Sequence, residues 1–250
     1  MSNGSNTPTP LRALDQLRLL SFKIGAQSHP AGSCLVAMGG TRVLCAASLE
    51  AKVPGWMKGK GSGWLTAEYG MLPSSTHTRT DREAARGKQQ GRTVEIQRLI
   101  GRSLRQAVDL EALGERTLTV DCDVLDADGG TRCAAITGAW VAIALALRTH
   151  HLEAALVRQV AAVSIGIVES GEGRRGVLLD LEYEEDHLAA VDANLVAARL
   201  ASTPAAELEL VESQATGEGR SFTRAESAAL LDLGLAGCGQ LMAAQLQALA

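Results

Sequence analysis

Aromatic residues are scarce in this chain, since Trp, Tyr and Phe together make up only 3% of its 250 residues. Proteins that bind single-stranded nucleic acid without sequence preference usually stack successive bases on several aromatic rings. The scarcity of rings therefore argues against a dense stacking platform. The hydrophobic core must consist mainly of Ala, Leu, Val and Ile, and a chain of this length can bury such a core without covalent staples.

Disulfide and secretion signals are also missing. The cysteines are odd in number, form no Cys-x-x-Cys pair and lie mostly in apolar segments; they are Cys34, Cys45, Cys122, Cys133 and Cys238. This pattern favours reduced thiols and a cytoplasmic location. Residues 1–10 are polar and proline-rich, which predicts a disordered tail and no signal peptide. No uncharged apolar run reaches transmembrane length, so we expect no membrane partner.

Positive charge is concentrated in one segment although the net charge of the chain is −4. Residues 56–105 contain ten Lys or Arg and four Asp or Glu, a local charge of +6 against −10 elsewhere. A local basic field can bind a polyanion even on an acidic protein. The alternative is a solvated surface with scattered charge pairs.

The first half of the sequence predicts strands followed by helices. Residues 32–38 and 41–48 flank a Gly-Gly turn and indicate a β-hairpin, and residues 117–125 alternate cleanly as a strand does. Thr93 can cap a helix that begins near residue 94, because apolar residues recur there at helical spacing. Residues 133–147 are almost entirely apolar, which predicts a buried helix. Residues 73–92 between these elements predict a long polar loop, a kind of loop that is often functional.

The second half repeats this mixture of strands and helices. Residues 161–168 and 176–183 predict another hairpin, whereas residues 193–212 are ambiguous by pattern. A capping box at Thr223 predicts a last helix that ends near Gly237. Hairpins in place of strict strand–helix–strand alternation favour an α+β fold.

Two loop-to-helix junctions could bind an anion. One is Gly91-Arg92-Thr93, and the other is residues 128–132 (DGGTR) before the apolar helix. A helix N-terminus presents unpaired N–H groups and a partial positive charge, and glycine lets an anion approach the backbone closely. Arg adds a planar fork suited to phosphate. Each junction alone is more often an ordinary helix start, but two of them in one chain predict a shared phosphate site if the fold brings them together.

An acidic segment at residues 180–186 could bind a cation. On a strand that ends near residue 183, Asp180 and Asp186 could converge on Mg²⁺, which proteins usually hold with one or two carboxylates and substrate phosphate. The alternative is an exposed acidic turn after a strand.

Several long segments resemble the bacterial ribonuclease PH family. They include residues 58–73 (KGKGSGWLTAEYGMLP), 76–79 (THTR), 95–102 (EIQRLIGR), 127–132 (ADGGTR) and 180–183 (DLEY). The resemblance covers roughly residues 12–240 and is far longer than a short motif that could arise by chance.

The resemblance implies a fold like the second domain of ribosomal protein S5. Residues 11–250 would form a single domain with a first portion at 11–147 and a second at 158–240, and residues 193–212 would be strands. It also implies a homohexamer built as a trimer of dimers.

The resemblance further implies a phosphorolytic 3′-to-5′ exoribonuclease that acts on tRNA precursors and other RNA 3′ ends. Such an enzyme uses inorganic phosphate, releases nucleoside diphosphates and can run in reverse. The implied phosphate-binding set is Arg92, Gly130, Thr131 and Arg132.

The same resemblance assigns two further groups of residues. Asp180 and Asp186 would be the catalytic carboxylates and the ligands of Mg²⁺. Arg79 and Arg82 would contact tRNA from the basic loop.

Some positions depart from the family pattern. Ser74 stands where the family usually has another Arg, and this removes one expected RNA contact. The family's N-terminal Gly-Arg-x-x-Asp-Gln-x-Arg-Pro motif here has Leu11 for Gly and Leu19 for Pro, but it keeps Arg12 and Arg18. The stretch 212–222 is also altered.

Three other functions remain open from the sequence. A non-catalytic ring subunit of an exosome-like complex would keep the fold, but such relatives lose phosphate-site or carboxylate residues that are present here. A catalytic exosome subunit of the archaeal type resembles residues 58–79 less well. A hydrolytic nuclease usually needs more clustered carboxylates and no paired anion junctions.

Overall fold

The first half of the chain forms a five-stranded sheet. The computed structural model describes residues 12–171, 173–203 and 205–250. The strands are β1 (Leu20–Ile24), β2 (Gly32–Met38), β3 (Thr41–Glu50), β4 (Trp64–Met71) and β5 (Thr117–Asp126). They lie in the order β1-β2-β3-β5-β4, and only the β4–β5 pair is parallel. The predicted hairpin is confirmed, with Gly39 at a φ of 58° in its turn.

Helices connect and cover this sheet. They are α1 (Gly91–Arg105), α2 (Leu110–Leu113) and α3 (Thr131–Thr149). The crossover from β4 to its parallel neighbour β5 passes through α1 and α2, because parallel strands cannot be joined by a tight turn. Residues 73–90 are irregular except for a short 3₁₀ turn at Glu83–Arg86, so the predicted long loop is present.

The second half forms a four-stranded antiparallel sheet. Its elements are β6 (Arg158–Val168), β7 (Gly176–Leu179), α4 (Tyr183–His187), β8 (Ala189–Leu200), β9 (Glu209–Gly217) and α5 (Arg224–Leu249). The strand order is β7-β6-β8-β9. The ambiguous residues 193–212 therefore lie mainly in strands, as the family resemblance implied.

The helix α3 lies between the two sheets, and this position explains its apolar sequence. It packs on β2 and β3 of the first sheet and on β6 of the second. The Thr137 hydroxyl is buried within it and bonds the backbone of Ala162 on β6 at 3.1 Å. A helix buried on all sides needs apolar residues all round. By length and composition alone, α3 and α5 could each span a membrane, but 78% of the apolar window of α3 is buried inside this fold, against 33% for α5.

Three predicted boundaries were wrong. The last helix does not end near Gly237 but continues to Leu249. At Gly237 an added Cβ would lie 2.5 Å from the Leu179 side chain, so this glycine permits close packing on β7. Thr93 does not cap α1, which begins at Gly91; its hydroxyl instead donates to Glu83 at 2.6 Å. The strand expected to reach residue 183 ends at Leu179, so Asp180 lies just beyond it.

Most buried hydrophobic residues of both halves form one core, which includes α3 and the inner faces of both sheets, and a small second cluster consists of Val168, Leu178, Leu181 and Ala189. All five cysteines are buried and unpaired. The mixed sheets and packed helices confirm the predicted α+β class. The predicted tail at residues 1–10 and the Leu11 departure lie outside the described residues, and Leu19 is exposed.

Candidate active site

A cavity of about 490 Å³ lies where the two halves of the chain meet. Its walls come from the loop after β4, the start of α1, the turn before α3, the helix α4, and the strands β6 and β8. The chemically relevant residues that line it are Thr76, His77, Arg92, Gly129, Gly130, Thr131, Arg132, Ser164, Tyr183, Asp186, Asp192 and Asn194. The two predicted anion junctions therefore open into one space.

The turn at residues 128–132 is shaped by two consecutive left-handed glycines. Gly129 and Gly130 have φ values of 76° and 65°, which side chains with a Cβ rarely adopt. An added Cβ on Gly129 would lie 2.5 Å from the carbonyl oxygen of Leu181. Two left-handed residues in front of α3 bring the first N–H groups of that helix to the cavity, where an anion would meet the positive end of the helix dipole.

Two arginines add full positive charges to the cavity. Arg92 is the second residue of α1, is exposed, and makes no salt bridge within the described part of the chain. Arg132 is mostly buried, and its guanidinium lies 3.6 Å from Glu95 and 3.4 Å from the Gln214 side-chain oxygen. The hydroxyl of Thr131 lies 3.0 Å from that of Tyr69 on β4. The phosphate-binding set expected from the sequence is thus assembled around one cavity.

A pair of carboxylates faces these arginines. Asp186 lies on α4 and Asp192 on β8, and both line the cavity. Burial and the negative charge of Asp186 raise the pKa of Asp192 to about 6, although Arg132 opposes this shift. Although Asp186 keeps an exposed surface, desolvation of its carboxylate also raises its pKa, against the opposing charges of Arg92 and Arg132. Because the charge of Asp186 opposes ionisation of Asp192, the two carboxylates are suited to share a cation.

Asp180 does not join this pair. Its side chain is 1% exposed and accepts hydrogen bonds from the Arg18 guanidinium at 2.7 Å and from the Arg18 backbone N–H at 2.9 Å. It is absent from the lining of the cavity, because the chain turns at Asp180 with a φ of 53° and directs the carboxylate under the turn at 128–132. The structure therefore does not bring Asp180 and Asp186 together as expected, and the second carboxylate that lines the cavity with Asp186 is that of Asp192.

The two arginines predicted to contact RNA lie outside the cavity, on the exposed loop before α1. Arg82 lines an adjoining groove of about 750 Å³, which shares Arg92 and Thr80 with the cavity. Arg79 lies 3.4 Å from Asp81, and both side chains are more than half exposed. Ser74 on the same loop is exposed. The groove thus extends from the cavity along the basic loop.

Comparison with known proteins decides the family. The profile of the "3' exoribonuclease family, domain 1" matches residues 16–148. The chain is 54% identical over 240 residues to ribonuclease PH of Caulobacter vibrioides, with 94% of this chain and 95% of that protein covered. It is 52% identical over 246 residues to ribonuclease PH of Brucella ovis, with coverage of 96% and 98%. The chain belongs to the ribonuclease PH family.

Solved structures show the same ribonuclease PH fold in more distant proteins. Rice (Oryza sativa) Rrp46 superposes with a TM-score of 0.74 at 19% identity, covering 96% of this chain and 98% of that one. The Archaeoglobus fulgidus exosome with RNA bound to the active site gives a TM-score of 0.73 at 19% identity, with coverage of 92% and 89%. At this level of identity the likeness concerns the fold alone.

Several residues that line the cavity were not assigned to the site by the sequence-based prediction, among them Asp192, Asn194 and Ser164. Asp192 and Asn194 alternate with buried residues along β8, so both point to the cavity. That period-two pattern was available in the sequence, but it runs into the ambiguous segment 193–212, which includes Asn194. Ser164 lies on β6 in an apolar run; its buried hydroxyl lines the cavity and has no hydrogen-bond partner among the described residues. No local signal distinguished Ser164.

Proposed function

We propose that this ribonuclease PH family member trims the 3′ ends of tRNA precursors by phosphorolysis. It is a 3′-to-5′ exoribonuclease and nucleotidyltransferase, and it binds RNA. The observation that carries the assignment is the single cavity in which Arg92, the turn at 128–132, Asp186 and Asp192 meet. The positively charged hydrogen-bond donors on one side of the cavity suit a phosphate nucleophile. The carboxylates on the other side suit a cation that would assist cleavage of the RNA phosphodiester.

Inorganic phosphate would bind between Arg92 and the start of α3. The N–H groups at 130–132 and the Thr131 hydroxyl would donate to its oxygens, and Arg132 would add charge-assisted bonds. Because phosphate and the RNA backbone are both anionic, the arginines would reduce the repulsion that otherwise keeps them apart. Positioning of this kind supplies much of the rate enhancement in phosphoryl transfer.

The chemical step exchanges one ester for one anhydride bond. A phosphate oxygen attacks the phosphorus of the last phosphodiester, and the bond from that phosphorus to the 3′ oxygen of the preceding nucleotide breaks. The 3′ oxygen takes a proton, so the products are a nucleoside diphosphate and an RNA shorter by one nucleotide. The reverse reaction adds nucleotides from diphosphates and releases phosphate.

Asp186 and Asp192 fit a Mg²⁺ ion better than a transition metal. In the described part of the chain no three His, Cys, Asp or Glu side chains cluster as metal ligands. Two carboxylates completed by water and substrate oxygens form the usual environment of Mg²⁺. The bound cation would stabilise negative charge on the leaving 3′ oxygen.

The RNA would approach along the groove that borders the basic loop. Arg82 lies in this groove and Arg79 is exposed beside it, so both can contact the phosphate backbone of a tRNA precursor. Contacts to the backbone position an RNA without reading its sequence. In this arrangement the cavity would bind the 3′ end of the RNA, and the basic loop would bind the body of the tRNA.

Two further properties belong to this proposal. A homohexamer arranged as a trimer of dimers is supported by the similarity to ribonuclease PH over nearly the whole chain. Light scattering coupled to size-exclusion chromatography would give the mass of the assembly, and a monomer at micromolar concentration would contradict the hexamer.

A cytoplasmic location is supported by five buried, unpaired cysteines.

The deciding experiment is digestion of a tRNA precursor with a 3′ extension in the presence of Mg²⁺, with and without inorganic phosphate. Chromatography of the released nucleotides distinguishes phosphorolysis from hydrolysis and from RNA binding without cleavage. Nucleoside diphosphates that form only with phosphate support phosphorolysis. Monophosphates formed without phosphate would indicate hydrolysis, and RNA binding with no release would indicate a non-catalytic ring subunit.

A further inference from the structure

A buried ion pair lies directly beneath the turn at 128–132. Arg18 and Asp180 have side chains that are 5% and 1% exposed, and their closest atoms are 2.7 Å apart. Both carboxylate oxygens of Asp180 are occupied, one by the guanidinium and the other by the backbone N–H of Arg18. A carboxylate enclosed in this way is placed to fix its partner and not to meet a substrate.

The Arg18 guanidinium also contacts the turn. It donates to the carbonyl oxygen of Asp128, and its Nη2 lies 3.4 Å from the carbonyl oxygen of Gly129. Thr41 holds the same segment from β3, since its hydroxyl donates to the Gly129 carbonyl at 2.6 Å and accepts from the Asp128 N–H at 2.8 Å. Arg18 is thus the link between Asp180 and the turn.

Anchoring these carbonyls has a direct effect on the N–H groups. A trans peptide is planar, and its C=O and N–H point in opposite directions. When Arg18 and Thr41 fix the Gly129 carbonyl on the buried side, the N–H of Gly130 is turned away from that side. The left-handed φ values of both glycines leave many alternative orientations open, so the turn needs such external anchors.

The backbone at Asp180 is itself held in an unusual conformation. Its φ of 53° is uncommon for a residue with a side chain, and it is kept by hydrogen bonds at both sides of the residue. The Asp180 N–H donates to the Ser164 carbonyl at 2.7 Å, and its carbonyl accepts from Arg12 at 3.0 Å. This strain is explained if the position of the carboxylate matters to the site.

We infer that Asp180 is a positioning residue for phosphate, acting through Arg18 on the turn at 128–132. The inference rests on the proposed phosphate site. It assigns to Asp180 a role distinct from that of Asp186 and Asp192, which face the cavity. Loss of the Asp180 charge should therefore weaken phosphate binding and leave the Mg²⁺ requirement unchanged.

The test compares Asp180→Asn, Arg18→Lys and a matched control, Arg174→Lys. Arg174 belongs to the same buried cluster and pairs with Glu185 at 3.3 Å, but it contacts the backbone of Leu14 and Leu179 and not the turn. A lysine at position 18 can keep the pair with Asp180 but lacks the fork that reaches both carbonyls. Steady-state kinetics on a short RNA would give the KM for phosphate, kcat and the Mg²⁺ dependence, and thermal melting would monitor folding.

We expect Asp180→Asn and Arg18→Lys to raise the phosphate KM about tenfold or more, since small displacements of positioning groups have large kinetic effects. Arg174→Lys should leave the phosphate KM within about twofold of the parent value, because Arg174 does not contact the turn and so should not couple to the phosphate site. If Asp180→Asn does not fold, the Arg18→Lys and Arg174→Lys pair decides alone. Arg92→Ala serves as the reference for the phosphate site itself.

Each contrary result has a separate meaning. A weakened Mg²⁺ response with unchanged phosphate KM in Asp180→Asn would make Asp180 a cation ligand and overturn the inference. Equal effects of Arg18→Lys and Arg174→Lys would overturn it as well, because the cluster would then act only through stability. If Arg92→Ala raises the phosphate KM and Arg18→Lys does not, only the positioning role fails; if neither does, the proposed phosphate site fails.

Discussion

The carboxylate of Asp186, on α4, lies near enough to that of Asp192, on β8, for its charge to help raise the pKa of Asp192 to about 6, after burial as the larger cause. The two residues are close in sequence but reach the cavity on different elements. The helix α4 and the turn after it reverse the chain between them. Their mutual repulsion provides a measurable signature of the pair.

Asp192→Asn should raise the melting temperature of the metal-free protein near pH 8. The pKa of Asp192 is higher in the folded than in the unfolded chain, so its protonated form favours folding and its ionisation at higher pH costs stability. The advantage of Asn should therefore shrink as the pH falls from about 6 towards 4, and it should disappear only below the ordinary Asp pKa of 3.8, where Asp192 is protonated in both states. Calorimetry from pH 4 to 8 with EDTA would measure this. A stability difference that is independent of pH would contradict the raised pKa.

The same substitution should impair Mg²⁺-dependent turnover. In the proposed cation site the ionised form of Asp192 would bind Mg²⁺, so activity of the parent at subsaturating Mg²⁺ should fall as the pH drops below about 6. Asp192→Asn should need much more Mg²⁺ and lose this pH dependence. Initial rates over a Mg²⁺ titration at several pH values would show both effects. An unchanged Mg²⁺ requirement would remove Asp192 from the proposed cation site.

Arg92→Ala should raise the KM for phosphate sharply, about tenfold or more, because hydrogen bonds to a charged ligand are each worth roughly 1.5–3 kcal/mol. Arg98→Ala is the matched control, since Arg98 lies on the same helix but lines a separate cavity with Thr66 and Gly101. It should leave the phosphate KM near the parent value. Phosphate titrations at saturating RNA would compare the two. Equal effects would mean that general positive charge, and not the geometry of the cavity, binds phosphate.

Arg79→Ala or Arg82→Ala should weaken binding of a tRNA precursor more than turnover of a short RNA. Both arginines lie outside the cavity on the exposed loop, where they can meet the body of a tRNA but not the reacting phosphodiester. Filter binding of the precursor and the kcat/KM of an oligonucleotide would separate the two effects. Equal losses on both substrates would contradict this division of roles.

Gly239→Ala should stabilise the protein by about 0.5–1 kcal/mol, because Ala has a higher helix propensity than Gly inside a helix. Gly239 lies in the middle of α5, where an added Cβ would make an ordinary contact of 3.6 Å with Leu208. Gly237→Ala is the matched control and should destabilise, since its Cβ would lie 2.5 Å from Leu179. Urea unfolding would measure both. Destabilisation by Gly239→Ala would mean that the helix is interrupted there.

The elements with a strong hydrophobic period were predictable from the sequence. In β5, Leu118, Val120 and Cys122 are buried as the alternation indicates, and α3 is buried on all sides as its apolar composition requires. The junctions at Arg92 and at 128–132 were also predictable, because glycines before a helix with an adjacent Arg are a local pattern. The long segments that resemble the ribonuclease PH family then predicted the exoribonuclease activity.

Boundaries set by packing were not predictable. Gly237 has the sequence of a helix end, but its contact with Leu179 comes from β7, which is distant in sequence. The partner of Asp180 was equally hidden, since Arg18 is 162 residues away along the chain.

The sequence by itself indicated the two candidate anion-binding junctions and the basic loop, because charge, hydroxyl groups and glycine freedom belong to residue types and their local order. Only the tertiary structure decided which acids meet the phosphate site. The turn at Asp180 directs its carboxylate beneath the backbone, and the reversal through α4 brings Asp192 into the cavity beside Asp186. Side-chain direction at such turns depends on contacts between distant segments, and a linear pattern does not contain them.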